Sequence, residues 1–287
     1  MSFRIITDSA SDIPQETAAK WDITVMPVHT MFGEDEYLDG VTLSPAQFFD
    51  KLVNTGIVPR TSQVTPFEFG QEYKKAVDAG ESVLCITMSA GVSGTYQSAC
   101  TAAMEYDGKV KVIDSRQFCI SLYVLVRYAC ICRDRGMSME ETAQAVEKVK
   151  DRVHVISVFD TLEFLKLGGR ISSAAALAGN LLSIKPVITV REGLVEVISR
   201  ARGSRKALQK AVEFIRQVGG IDETMPSCLG FTGQSDKVLT SFISKYARQY
   251  ADRLRDLPIV PVGATVGTYA GPGAVALAFF DNGEQKN

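Results

Sequence analysis

The 287-residue sequence has little of what several classes of protein require. It contains only two histidines, and its six cysteines include no C-x-x-C pair, which argues against a metal site. The cysteines lie mostly in apolar segments, so we expect them to be reduced and structural. The formal net charge is −2, with 22% charged and 46% hydrophobic residues. This is the composition of a globular protein and does not favour nucleic acid as a partner.

Targeting and membrane-spanning segments are also absent from the pattern. The first residues, MSFRIITDSASD, lack a basic segment followed by an apolar core and reach an acid at Asp8, so we expect no secretory signal. The apolar runs CISLYVLV and GAVALAFF end at Arg127 and Asp281, short of the roughly 18 residues that a spanning helix needs. We therefore expect a cytoplasmic protein.

Apolar runs alternate with helical patterns through the first half of the chain. Strands are predicted over 3–7, 82–88 and 110–114, with one extended segment over 23–32. Helices are predicted near 14–20, 44–53, 66–79, 117–135 and 138–150, with another following Ser93. This alternation is typical of a parallel sheet with right-handed crossovers. It predicts a Rossmann-like N-terminal α/β domain over residues 1–152.

The second half of the chain has a different pattern. It predicts a strand over 154–160, two short helices around Gly168 and Gly169, a β-hairpin over 185–201 and a helix over 203–218. A strand over 227–232, a long helix over 236–254 and two strands around GTYAGPG follow. A hairpin within the sheet indicates a mixed or antiparallel arrangement. We therefore expect a two-domain α/β protein whose second domain covers residues 153–287.

The loop SAGVSGTYQSA, over 89–99, raises the question of what Ser93 does. A nucleophile elbow would be G-x-S-x-G, but Thr95 stands where the second glycine belongs, and both histidines lie in or beside apolar strands. A Gly-rich loop that opens a helix presents free backbone N–H groups and the positive end of the helix dipole, which suit an anion. Capping of the helix by Ser93 explains the same spacing.

Two further polar segments carry similar signals. In RTSQVTPFEFG, Thr65 is a candidate N-cap with Pro66 at the first helical position, but the residues Thr61, Ser62 and Gln63 have no evident local role. In SRARGSRKAL, over 199–208, basic residues stand at a helix start, where they oppose the dipole. An anion nearby or a solvated edge explains them. The phosphate-binding fingerprints G-x-x-x-x-G-K-[ST] and G-x-G-x-x-G are absent.

Eight motifs, taken in order, give the chain a specific resemblance. They are ITDSASDIP, YLDG, TSQVTP, SAGVSGTYQSA, DTLEFLKLGGRIS, IKP, ARGSRKAL and VGTYAGPGAVALAF, and they span almost the whole sequence. Together they resemble the DegV family of bacterial fatty-acid-binding proteins, the acyl-carrying B subunit of fatty acid kinase.

The resemblance implies a two-domain protein that holds one long-chain fatty acid, such as palmitate, oleate or stearate, in a tunnel between the domains. The family binds the carboxylate through residues matching Thr61 and Ser93, with an arginine matching Arg202 in support. The candidate carboxylate site is therefore Thr61, Ser62, Ser93, Gly94, Thr95, Arg202 and Tyr269. No cofactor is implied.

The resemblance also implies an ATP-dependent partner kinase that phosphorylates the bound carboxylate, with the acyl phosphate passing to phospholipid synthesis. The protein itself would be a non-catalytic carrier that visits the membrane transiently. Candidate partner contacts are Lys166, Arg170, Arg205 and Lys206. At roughly 0.8 kcal/mol per methylene, the buried tail would dominate affinity.

One position departs from the family pattern. The last motif usually reads G-T-H-x-G-P-G, and Tyr269 stands here in place of that histidine. Tyrosine donates a hydrogen bond but does not become a cation near neutral pH. Two other functions remain open: a phosphotransfer enzyme like dihydroxyacetone kinase, whose substrate domain is related in fold, and a pure interaction module. Candidate tunnel walls are 118–131 and 173–182, which helix packing also explains.

Overall fold

The computed structural model of the chain describes residues 2–171 and 184–283, and its strands form three sheets. A parallel four-stranded sheet has the order β2-β1-β6-β7, and a three-stranded antiparallel sheet has the order β4-β3-β5. These strands are β1 (Phe3–Asp8), β2 (Ile23–Met26), β3 (His29–Phe32), β4 (Asp35–Leu38), β5 (Arg60–Ser62), β6 (Ser82–Thr87) and β7 (Val110–Asp114). The first sheet confirms the predicted parallel arrangement.

The third sheet has six strands in the order β10-β9-β8-β13-β11-β12. Its strands are β8 (Val153–Val158), β9 (Ile184–Arg191), β10 (Leu194–Arg202), β11 (Cys228–Phe231), β12 (Ile259–Pro261) and β13 (Val275–Phe280). Only the β11–β12 pairing is parallel, so this sheet is mixed, as predicted. The predicted hairpin is β9–β10, and Glu192 and Gly193 form its turn with positive φ.

Helices connect and cover these sheets. In chain order they are α1 (Gln15–Trp21), α2 (Pro45–Thr55), α3 (Pro66–Asp78), α4 (Thr95–Ala103), α5 (Ile120–Asp134), α6 (Met139–Val149), α7 (Glu163–Leu167), α8 (Ser204–Gln217), α9 (Lys237–Tyr246), α10 (Ala251–Leu254) and α11 (Ala264–Ala270). Short 3-10 turns lie at 9–11, 104–106, 150–152 and 248–250.

Several helix starts follow directly from their sequence. Ser44, Thr65 and Ser138 each cap a helix, and the glutamine or glutamate three residues later bonds back to the cap backbone. These capping boxes satisfy two backbone donors each. Pro45 and Pro66, at the first helical position, have no backbone N–H that would need a partner. The predicted Thr65 cap is therefore confirmed.

Two expectations about elements were wrong, and three elements were not predicted. The extended segment 23–32 is two strands in different sheets, because Pro27 supplies no N–H for a continuous ladder. The long helix predicted over 236–254 is three short helical pieces. Strands β4 and β5 and helix α11 were missed. The second short helix predicted after Gly169 lies outside the described residues.

Helix α5 joins the two larger sheets into one hydrophobic core. It contacts β1 of the parallel sheet and β8, β11 and β13 of the mixed sheet. Ten of its residues are buried, which exceeds one face of a fifteen-residue helix. The predicted division at residues 152 and 153 falls between a 3-10 turn and β8, and the two-domain assignment stays a prediction.

Within the described residues, no helix is both long and apolar enough to cross a membrane.

Candidate functional site

A cavity of about 390 Å³ lies between the helix-opening loops of the N-terminal half and one face of the six-stranded sheet. We call it the front cavity. Its apolar wall comes from both halves of the chain and includes Val28, Met88, Val92, Phe118, Val155, Phe159, Ile188, Val190, Phe231, Val262, Val266 and Ala274. The volume lies in the roughly 300–1,000 Å³ range of small-molecule sites. Among the described residues, no Asp or Glu lines it.

One part of the wall is polar and carries the hydroxyl groups that the sequence singled out. Thr61 Oγ1 and Tyr269 OH lie 2.6 Å apart and share a hydrogen bond. The Arg170 guanidinium stands 5.0 Å from the centre of the Tyr269 ring, and its Nη1 donates to the carbonyl oxygen of Gly168 at 2.8 Å. A cation and two hydroxyls therefore meet at this point, which suits an anionic group.

The start of α4 contributes backbone donors to the same wall. Gly94 is the N-cap residue and has no side chain with which to satisfy the first turn. Ser93 Oγ accepts from the Thr95 backbone N–H at 3.3 Å and lies 2.9 Å from Thr95 Oγ1. The capping interpretation of Ser93 thus accounts for one local bond, while Ser93 itself still lines the cavity.

Gln63 connects the two polar loops. Its Nε2 donates to Ser98 Oγ on α4 at 2.8 Å, and it lines the cavity beside Thr61 and Ser62. A Cβ at Gly94 would overlap the Gln63 side-chain amide, so a larger residue there would displace the end of the Gln63 side chain. The loop TSQ therefore has a role that helix capping by Thr65 does not supply.

Buried carboxylates fix the helix that carries Tyr269. Asp39 accepts from the backbone N–H groups of Ala264 and Thr265 at 2.8 and 3.0 Å and also from the Thr265 hydroxyl. Asp12 accepts from the Gly263 N–H at 2.8 Å. These bonds satisfy the first donors of α11, whose other end presents Tyr269 to Thr61.

Burial perturbs the titration of these acids. Asp8 caps the 3-10 turn at 9–11 and accepts from the Met88 N–H at 2.7 Å. Desolvation outweighs these bonds and raises the pKa of Asp8 to about 7, while burial likewise raises the pKa of Asp12 and Asp39. The motifs ITDSASDIP and YLDG thus supply a buried support for the site. The available sequence signal was an aspartate directly after an apolar strand, at Asp8, followed by Asp12 four residues later; sequence reasoning assigns neither a role in the site.

The predicted site residues divide into two groups. Five of the seven carboxylate candidates line the front cavity: Thr61, Ser62, Ser93, Gly94 and Tyr269. Thr95 is buried beside Ser93 without lining it, and Arg202 lies exposed at the end of β10, away from the wall. The cation at the wall is instead Arg170, which sequence reasoning had placed in the partner contact.

The other predicted partner contacts lie elsewhere. Lys166 is exposed on α7, and Arg205 and Lys206 are exposed on α8; none of the three lines the front cavity. Of the candidate tunnel segment 118–131, only Phe118 and Cys119 reach the cavity, and most of the rest is core. The segment 173–182 lies outside the described residues.

Neither histidine reaches the cavity. His29 sits between the carboxylates of Glu36 and Glu68 at 2.6 and 2.8 Å, and His154 Nε2 lies 2.8 Å from Asp281 Oδ2. Burial lowers the pKa of His29, but the bonds to Glu68 and Glu36 outweigh it and raise the pKa. Within the described residues, no cluster of three or more metal-ligating side chains occurs.

Comparison with known proteins defines the class. Residues 2–282 match the family model described as "Uncharacterised protein, DegV family". A DegV domain-containing protein of Deinococcus radiodurans is 36% identical over 283 residues, which cover 97% of this chain and 98% of that protein. The chain belongs to the DegV family.

Solved structures share the architecture. A DegV family protein from Thermus thermophilus, described by its fatty acid binding, superposes with a TM-score of 0.86 at 30% identity and covers 98% of this chain and 100% of its own. A fatty acid binding DegV family protein from Streptococcus agalactiae gives a TM-score of 0.83 at 26% identity, covering 98% and 99%. The α/β fold with a parallel and a mixed sheet is thereby confirmed.

Proposed function

We propose that this protein binds one long-chain fatty acid, such as palmitate, oleate or stearate, in the front cavity. The observation that carries the proposal is the asymmetry of the cavity wall. Hydroxyls, helix-start N–H groups and Arg170 gather at one place, and apolar side chains form most of the rest. The DegV relatives from Thermus thermophilus and Streptococcus agalactiae are described as binding fatty acids.

The polar part of the wall recognises the carboxylate. Ser93 donates one hydroxyl hydrogen, the hydrogen-bonded pair of Thr61 and Tyr269 donates the one that its mutual bond leaves, and Arg170, rather than Arg202, supplies the positive charge. Because no acid lines this wall among the described residues, an anion meets no like charge there. Hydrogen bonds to a charged group contribute about 1.5–3 kcal/mol each.

The apolar part of the wall holds the tail and supplies most of the affinity. Burial of about fifteen methylenes gains on the order of 12 kcal/mol before the costs of association and ordering. Thr189 and Thr232 also line the cavity, but Thr189 donates to the Val155 carbonyl at 2.8 Å and Thr232 accepts from the Ala274 N–H at 2.7 Å. The Thr189 hydroxyl is therefore already engaged as a donor and the Thr232 hydroxyl as an acceptor.

We further propose that the protein is a cytoplasmic, non-catalytic carrier that visits the membrane transiently. An ATP-dependent fatty acid kinase would phosphorylate the carboxylate on the carrier, and the acyl phosphate would enter phospholipid synthesis. Lys166 and Arg170 are the proposed partner contacts, since both lie on or just after α7, beside the polar wall. The dihydroxyacetone-kinase-like alternative is not favoured, because that class attaches its substrate through a histidine.

Lipid extraction tests the binding proposal directly. Protein purified from bacteria and analysed by native mass spectrometry should carry one fatty acid per chain. A preparation that is empty and also fails to bind added palmitate would overturn the proposal.

Hydroxyl removal tests the site. Thr61→Val with Ser93→Ala should weaken palmitate binding about tenfold to a hundredfold, because each lost bond to a charged group costs more than 1 kcal/mol. The matched control is Thr101→Ala on α4, whose exposed hydroxyl bonds only the Gln97 carbonyl of its own helix. Equal affinities for both variants, measured by equilibrium dialysis, would remove the polar wall from the head-group site.

Acyl phosphate production tests the kinase step. Palmitate-loaded protein, incubated with the kinase subunit and ATP, should yield palmitoyl phosphate, and Arg170→Glu should reduce the yield at saturating palmitate. Lys237→Glu makes the same charge change at an exposed position on α9 that does not line the front cavity. A yield that Arg170→Glu leaves intact would contradict the assigned contact.

A further inference from the structure

A second apolar cavity, of about 680 Å³, lies on the opposite face of the six-stranded sheet. We call it the rear cavity. Alternate side chains of β8 face the two spaces: Val155 and Ser157 line the front cavity, and Ile156 and Val158 line the rear one. The sheet therefore separates the two cavities along this strand.

Helices α8, α9 and α10 cover the rear cavity loosely. Val212, Ile215, Phe242, Ile243, Leu254 and Leu257 line it, and all six side chains are only partly buried. Partly buried apolar side chains that face a common space leave transfer free energy that an apolar ligand would recover.

A cationic groove adjoins the rear cavity. The two share Leu208, Val212, Arg216 and Tyr250 in their walls, and the groove adds Arg205 and Lys245. Within residues 2–171 and 184–283, the side chains of Arg205, Arg216 and Lys245 have no ion-pair partner. The one acid in the groove, Glu213, already pairs with Lys210 at 2.8 Å.

The charges also give the rear cavity a direction. Elsewhere in its wall stand Glu223, Asp252 and Asp256 with Arg253. An anionic head is disfavoured at that acidic part and favoured at the groove, where three cations stand together. The pairing of an apolar space with a cationic mouth is the chemistry that a single-chain anionic amphiphile requires.

We propose that the rear cavity and its groove bind a second amphiphile, with the chain against the sheet and a carboxylate or phosphate head at Arg205, Arg216 and Lys245. Arg205 thus gains a role in ligand binding rather than in the partner contact. The site does not depend on occupancy of the front cavity, so either binding proposal can fail alone.

Two matched filling variants separate the sites. Ala270→Phe fills the front cavity, and Ala211→Phe fills the rear one; both alanines are buried and line only their own cavity. Protein freed of lipid is titrated in separate arms with palmitate and with palmitoyl lysophosphatidate, and the bound equivalents are counted by native mass spectrometry. Wild type should bind two equivalents in at least one arm, and each variant should bind one fewer.

Retention of one equivalent by Ala270→Phe, in whichever arm, supports the rear site and identifies the preferred head. Loss of all binding by Ala270→Phe in both arms would overturn it. Loss of all binding by Ala211→Phe with retention by Ala270→Phe would instead overturn the front-cavity proposal.

A surface variant keeps the test independent of core substitutions. In otherwise wild-type protein, Lys245→Glu should weaken binding of the second equivalent at least tenfold, whereas Lys237→Glu, at the other exposed end of α9, should leave it unchanged. Hydrogen exchange of wild-type protein should show slower exchange over 237–257 once the second equivalent binds. Equal affinities for the two lysine variants, with no protection in that range, would overturn the proposal.

Discussion

The parallel sheet and the mixed sheet use the same apolar residue types but pack them differently. Val83, Leu84, Cys85 and Ile86 of β6 are fully buried in a continuous core. The mixed sheet has similar strands but a cavity against each face. The residue composition of the strands therefore does not decide which sheet has cavities against its faces.

The difference lies in the elements that cover the strands. The parallel sheet contacts α1, α3, α4, α5 and α6, and the residues between them form a continuous core. The front cavity is walled in part by residues of α7 and α11, which have five and seven residues. At this face the covering segments leave a space that no side chain fills, and a ligand site results.

The largest expected effect contrasts one isoleucine from each sheet. Ile86→Ala should lower the free energy of unfolding by about 4 kcal/mol, because it opens a void in a sealed core. Ile188→Ala, on the wall of the front cavity, should cost about 2 kcal/mol, because that side chain already lacks neighbours on one side. Urea unfolding of ligand-free protein measures both, and equal losses would contradict the difference in packing.

Gly168 marks a place beside the front cavity where two segments pack closely. A Cβ at Gly168 would overlap the Tyr269 ring, so Gly168→Ala should cost about 1–3 kcal/mol and separate Tyr269 from Thr61. The control Gly70→Ala, in the interior of α3 with open space around its Cβ, should stabilise the protein by up to about 1 kcal/mol. Thermal unfolding and palmitate affinity should separate the two variants, and unchanged affinity for Gly168→Ala would contradict the role of this close approach.

The buried acids should make stability depend on pH. Because the pKa of Asp8 rises from 3.8 to about 7, the folded state retains a proton that the unfolded state has released between these values. The free energy of unfolding should therefore fall as pH rises from about 4 to about 7, and Asp8→Asn should make this slope shallower.

The exposed acid Glu141, whose pKa is shifted in the opposite direction, provides a control. The Ser138 side chain and backbone bonds lower the pKa of Glu141, so its contribution is present above its usual pKa and is lost as pH falls. Because a carboxyl group with a lowered pKa titrates below about pH 5, Glu141→Gln should leave the dependence of the unfolding free energy on pH unchanged between about pH 5 and 7. An identical slope for wild type and Asp8→Asn would contradict the assignment.

The smallest expected effect concerns one bond between the two halves of the chain. Ser89 Oγ donates to the Gly193 carbonyl at 2.8 Å and accepts from the Gly91 N–H at 3.1 Å. Ser89→Ala should lower the free energy of unfolding by about 1 kcal/mol, because it leaves a buried carbonyl without its donor. Ser244→Ala, at an exposed hydroxyl on α9, should change the unfolding midpoint in urea little. Equal effects of the two substitutions would contradict a stabilising role for the bond between Ser89 and Gly193.

Sequence reasoning predicted the parts of the fold that local pattern decides. Strands β1, β6 and β7 of the parallel sheet, the β9–β10 hairpin and the Thr65 cap all follow from periodicity or from turn and cap residues. Helix α11 was missed because its sequence, ATVGTYA, is rich in β-branched residues and contains glycine. Its start depends on Asp39, which lies more than two hundred residues earlier in the chain.

The candidate site was predicted only in part for a related reason. Thr61 and Ser93 stand in loops whose polar residues exceed what capping needs, so the sequence marks them. Arg170 reaches the wall through the Tyr269 ring and the Gly168 carbonyl, contacts that depend on how α7 and α11 pack. Arg202 carries the same charge, but its position at the end of β10 does not bring it to the cavity wall.

Helix α5 also limits how the two larger sheets can move relative to each other. This one helix packs against both larger sheets. Separating the two sheets would therefore expose most of its apolar surface to water. We therefore expect the two sheets to keep their relative position when a ligand binds.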